Sequence, residues 1–117
     1  MSVDTVTTPL VSFLLRRAGV AQGGIDEYWN RADGAFSLLS SAGGDAAAAY
    51  NVDDMVAVLP ANVTVDSIQH DLTLIEEPHG RWRAVYGTLS AGEMTHGMNA
   101  ADAYGRLYLW AADEGLV

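Results

Sequence analysis

The chain has 117 residues, 15 acidic against 6 basic, no cysteine, and half of its residues hydrophobic. That length suits one domain around one core, and the apolar half excludes a disordered acidic tail. A formal charge of −9 excludes a non-specific nucleic-acid binder, which needs cations to displace counterions from phosphates.

Thr7-Thr8-Pro9 opens the first element. A threonine before proline supplies a capping oxygen, and Pro9 lacks only a donor that the first turn cannot use. Leu10, Phe13, Leu14 and Ala18 recur at helical spacing, Arg16 and Arg17 suit the last turn, and Gly19 is a natural stop. A helix over about 9–18 follows.

After Gly23-Gly24, the residues Ile25, Tyr28, Trp29, Ala32, Phe36 and Leu39 form a stripe near 3.6 spacing, with Asp26 and Glu27 in the first turn. This predicts a helix over about 25–42, with a break allowed at Asp33-Gly34, where glycine costs about 1 kcal/mol relative to alanine. Beyond Gly43-Gly44, the alanines at 46–49 and the spacing of Val52, Met55, Val56 and Leu59 predict helix over about 45–59. The polar interruption there also permits two short helices, the second capped by Asp53.

From Val63 to Glu77 the period switches to two. Glu77-Pro78-His79-Gly80 has turn chemistry, and Trp82 to Tyr86 is rich in β-formers. Strands are expected over about 67–77, 81–89 and 93–96. The expected register opposes Glu76 to Arg81, Leu74 to Arg83 and Leu72 to Val85, leaving both faces apolar. Asn99 then caps a helix over about 100–114, with Trp110 off its apolar stripe. The fold class is α+β, a three-stranded antiparallel β-meander packed between N-terminal helices and a C-terminal helix. The rival arrangement covers one face only and leaves Trp82 and Tyr86 as a homodimer seam.

Trp29-Asn30, then Asp33-Gly34-Ala35 and Leu38, then a hairpin and an alanine-rich closing helix resemble the small phage proteins called ABA-sandwich domains. Two departures stand out: Arg31 replaces the proline usual after Trp-Asn, and Gly43 to Val65 reads as an insertion. The resemblance implies a phage or prophage origin and a sandwich architecture. It carries over no catalytic residue.

Under the expected register, His70 and His96 flank Gly87, which has no side chain to separate the imidazoles. Glu93 adds an oxygen, and zinc or nickel accepts such donors. The plainer reading is two hydrogen-bonding histidines at a sheet edge. His70-Asp71 and Glu76-Glu77 are neighbours split across a strand, so neither makes a catalytic pair. The chain has no Gly-x-Ser-x-Gly elbow and no lysine for a phosphate loop. No enzyme and no cofactor are expected.

The acidic residues carry the functional lead. Asp26, Glu27, Asp33, Asp53, Asp54, Asp113 and Glu114, with Trp110 as an exposed aromatic, are the candidate contact surface for a basic protein partner. Asp113 and Glu114 oppose the helix dipole, so stability does not explain them. The expected role is a phage or mobile-element accessory protein that inhibits a host or defence nucleic-acid-handling complex by binding it. The alternative is an immunity-type or homo-oligomeric structural module. No apolar run reaches the ~18 residues of a membrane span. The first four residues lack the positive region of a secretory signal, so the bacterial cytoplasm is the expected location.

Overall fold

The computed structural model describes residues 5–87, 89 and 95–117. The observed class is α+β: three helices and two antiparallel sheets among the described residues. Helix α1 spans Pro9–Arg17, followed by β1 (Tyr28–Ala32), β2 (Ala35–Leu39) and β3 (Ala46–Ala48). Helix α2 (Val52–Val58) leads to β4 (Asn62–Val65), β5 (Ile68–Glu77), β6 (Arg81–Tyr86) and β7 (His96–Gly97), and α3 (Ala100–Asp113) closes the chain. One sheet has the order β2-β1-β3 and the other β4-β5-β6-β7.

The helix expected over 25–42 is instead the β1–β2 hairpin, with Ala32 opposite Ala35. Asp33 (φ 51°) and Gly34 (φ 77°) both occupy the left-handed region. That pair is the two-residue turn whose twist matches the flanking strands, and Asp-Gly is among its preferred sequences. The dipeptide that reads as a helix defect is therefore the feature that sets the hairpin.

The helix expected over 45–59 is likewise corrected. Ala46–Ala48 pairs with β1 as a strand, and Ala47 and Ala48 are fully buried. Alanine's helix propensity yields because its small side chain lets α1 pack against this strand. Only Val52–Val58 is helical, and its cap is Asn51 rather than Asp53. The Asn51 side chain accepts from Asp54 N (2.8 Å), and the Asp54 carboxylate accepts from Asn51 N (3.1 Å).

Strand β4 lies within the stretch read as extended but precedes the expected strand. It turns into β5 through Asp66 and Ser67, both at positive φ. The β5–β6 register is one residue from expectation: Glu77, not Glu76, opposes Arg81, and Leu72 opposes Tyr86. The reason is the loop. Pro78-His79-Gly80 puts three residues between the strands, with His79 and Gly80 at φ 67° and 71°. A one-residue slip changes which residues share a face. Leu72 and Leu74 now share the core face with Trp82, Ala84 and Tyr86, all in the main cluster with α3 residues Ala103, Tyr104 and Leu107. Tyr86 is thus a core residue and Trp82 is half-buried against that core, rather than the two forming an open seam. Of the strand expected over 93–96, His96 begins β7; residues 93 and 94 lie outside the described residues.

Helix α1 forms as expected, but it buries Val11, Ser12 and Leu15 and leaves Leu10 62% exposed. The Thr8 hydroxyl does not cap the helix. It donates to Asp102 Oδ1 (2.8 Å), as does the Thr8 amide (3.0 Å). Asp102 is fully buried in the first turn of α3, and its other oxygen accepts from Arg106 Nε (3.2 Å). Asn99 caps α3 by accepting from Asp102 N and donates to Val6 O (2.9 Å).

Two glycines permit this packing. A Cβ on Gly97 would lie 2.8 Å from the backbone carbon of Asp102, and one on Gly105 would lie 2.6 Å from Val11 Cγ1. Gly97→Ala should destabilise more than Gly105→Ala in urea melts, because the first meets backbone and the second meets side chains that can shift. Asp102→Ala strands the Thr8 donors in a part-buried site and should cost roughly 2–4 kcal/mol in the same measurement.

Candidate protein-binding surface

The expected acidic surface divides once the residues are placed. Asp54 is committed to the α2 capping box. Asp33 sits exposed at the tip of the β1–β2 hairpin. Asp26 is exposed before β1, and Glu27 is half-buried, with Oε2 lacking a hydrogen-bond partner among the described residues. Asp53 is exposed on the first turn of α2, Asp113 ends α3, and Glu114 is its C-cap. Helices α2 and α3 pack together, so Asp53, Asp113 and Glu114 belong to one helical layer. Trp110 is half-buried rather than free. It packs on the core and, with Val65, Leu89, Glu114 and Leu116, lines a shallow cleft of about 260 Å³.

Four of the six arginines show the opposite pattern, while Arg17 is exposed and forms no ion pair among the described residues. Arg31 and Arg16 grip Asp45 from two sides (2.6 Å and 3.2 Å), and Arg16 also donates to Ala46 O (2.9 Å). The Arg31 hydrogen bond leads the effects that hold the Asp45 carboxyl below the usual carboxylate range. Both guanidinium groups lie over the Phe13 ring, at 4.8 Å and 5.1 Å, and Phe13 in turn touches Phe36 at 5.8 Å between centroids. Arg106 is spent on Asp102, and Arg83 on Glu77 at 3.7 Å. Asp26, Asp33, Asp53, Asp113 and Glu114, by contrast, form no ion pair among the described residues. The excess charge is therefore displayed, not neutralised.

The two histidines are not brought together. His70 does lie against Gly87, where a Cβ would meet its Nδ1 at 3.0 Å. His96 opposes Arg83, four residues back along the chain and roughly 13 Å away in extended backbone. The β6–β7 register places its ring at Glu77 instead, with Nε2 3.0 Å from Oε1. No group of three metal-ligating side chains occurs among the described residues, and Glu93 lies outside them.

Reading the sequence missed two groupings. One is the Glu77–His96–Arg83 cluster, which the shifted register assembles. The other is the Phe13–Phe36 contact under two arginines, which the Asp33-Gly34 turn would have revealed had it been read as a hairpin.

Three tyrosines mark the dry interior. Burial raises Tyr50, Tyr86 and Tyr104, Tyr86 to about 12. The Tyr86 hydroxyl donates to Pro60 O (2.8 Å), and that of Tyr50 to Ala21 O (2.6 Å). A raised phenol pKa favours the neutral ring in the folded state. The resulting stability is full below the unfolded value of about 10 and is lost as pH rises toward the folded one. In an alkaline titration, phenolate absorbance from these three rings should appear together with loss of the circular dichroism of folding, rather than before it.

No helix among the described residues is long and apolar enough to cross a membrane. No family model matches the chain, and no curated protein or solved structure matches it.

Proposed function

We propose that this chain is a non-enzymatic accessory protein of a phage or mobile element, working in the bacterial cytoplasm by binding another protein through its acidic surface. The supporting observation is the asymmetry of ion pairing. Arg16, Arg31, Arg83 and Arg106 are engaged within the fold, while Asp26, Asp53, Asp113 and Glu114 stand exposed and unpaired among the described residues. None of these carboxylates is held by an ion pair within the described fold, and Asp113 and Glu114, at the C-terminal end of α3, oppose the helix dipole. Their chemistry suits a basic protein surface, since long-range attraction raises association rates and suppresses wrong partners. Host and defence complexes that handle nucleic acid present such surfaces, and an inhibitor is the sharpest form of the proposal. An immunity-type module that neutralises one basic toxin uses the same surface.

The test uses the immobilised chain in bacterial lysate. A specific protein should be captured at low salt and released as ionic strength rises. The D53N/D113N/E114Q variant, whose three positions leave the core intact, should lose most of that capture. Recovery of nothing except further copies of the chain at low salt would overturn the proposal.

A further inference from the structure

The three-stranded sheet has two edges, and they are treated differently. At the β3 edge the outward backbone groups are occupied by side chains: Arg16 Nη1 donates to Ala46 O (2.9 Å), and Ala48 N donates to Gln22 Oε1 (2.8 Å). At the β2 edge no such partner exists among the described residues. The pairing alternation follows from the turn. Ala32 and Ala35 flank a two-residue loop and exchange hydrogen bonds, so Asn30–Ser37 and Tyr28–Leu39 are also bonded pairs. Phe36 and Leu38, in between, direct their amides and carbonyls away from β1. The same alternation sends the Arg31 amide the other way, to Asp45 O (2.9 Å).

Among the described residues, this edge has none of the usual protection. Strand β2 carries no charge, proline or bulge, and Ala35 through Gly44 is uncharged in a chain of net charge −9. The loop to β3 does not cover the edge. Asn30 holds it over the face of β1 by donating to Ser41 O (3.0 Å) and accepting from Gly43 N. Phe36 and Leu39 remain 43% and 48% exposed.

We infer that β2 pairs antiparallel with β2 of a second copy of this chain, about a two-fold axis at Ser37, joining two three-stranded sheets into one of six strands. The register is self-complementary. Phe36 opposes Leu38 of the second copy, and their outward amides and carbonyls are the groups an antiparallel bonded pair exchanges, twice over by symmetry. Ser37 meets its own counterpart as the unbonded pair, and Leu39 covers Ala35 of the second copy. Both exposed apolar side chains of the strand are thereby buried. Two chains of like charge approach best where neither carries any, and isologous pairing closes rather than growing into a fibre. This surface is separate from the acidic one, so either proposal can fail alone.

Sedimentation equilibrium of the full chain from about 10 to 200 μM should give twice the 12.4 kDa monomer mass. The Ser37 side chain is exposed, so Ser37→Glu should keep the parent's circular dichroism while weakening dimerisation at least about tenfold through paired carboxylates. Because the chain has no cysteine, Ser37→Cys provides a second, fold-independent reading. Mild oxidation should join it into a disulfide dimer at least about tenfold faster than Ala57→Cys on the exposed side of α2. A monomer throughout the range, a dimer indifferent to Ser37→Glu, or equal cross-linking of the two cysteine variants would each overturn the inference.

Discussion

The structure depends on one buried carboxylate. Asp102 is fully buried, yet it accepts from the Thr8 amide, the Thr8 hydroxyl and Arg106. Burying a charge is expensive unless hydrogen bonds replace its water, and here donors from the two ends of the chain replace it. The strap Val6-Thr7-Thr8 carries the consequence outward. Val6 O accepts from Asn99, Thr7 O accepts from Trp29 Nε1 (2.7 Å), and Thr7 N and Oγ1 bond the Tyr50 backbone. Three residues thus tie α3, the small sheet and the segment leading to α2. With the strap fixed, α1 has one direction to leave in, and Val11 and Leu15 meet the gap that Gly105 leaves open.

That arrangement separates the charges. Three arginines are drawn into pairs that hold elements together: Arg16 and Arg31 clamp the start of β3 through Asp45, and Arg106 satisfies Asp102. Among the described residues, Asp26, Asp33, Asp53, Asp113 and Glu114 stand exposed outside these pairs. An exposed ion pair adds little stability in any case, so the fold tolerates this surplus of acid at small cost. What the surplus shapes is encounter with other molecules. The β2 edge is the complementary case, an apolar and uncharged border on an otherwise repulsive particle.

Helix α1, helix α3 with its Asn99 cap, and the long β5–β6 hairpin were legible in the sequence because each signal there is local. Capping residues, a breaking glycine and a change of period act within a few positions, whatever the rest of the chain does. Residues 25–59 are ambiguous in the sequence for the converse reason. Their apolar spacing fits a helix as well as a strand pair, and the decision rests on Asp33 and Gly34 both adopting positive φ. The alanines at 46–48 have the strongest helix propensity in the chain and nonetheless form a strand. Only the neighbouring β1 and α1 determine that. The candidate site followed the fold. The residue types were visible, but the pairing of His70 with His96 failed with a one-residue slip and a shifted third strand.

By itself the sequence determined the α+β class, the closing helix, and the acidity of −9. Composition, capping and turn residues are properties of the chain alone. Tertiary structure decided which carboxylates remain free. Asp45, Asp54, Glu77 and Asp102 are consumed by partners distant in sequence or by a cap, while Asp26, Asp53, Asp113 and Glu114 are not. A charge count cannot make that distinction, because an acidic residue becomes surface or scaffold only when folding brings a donor to it.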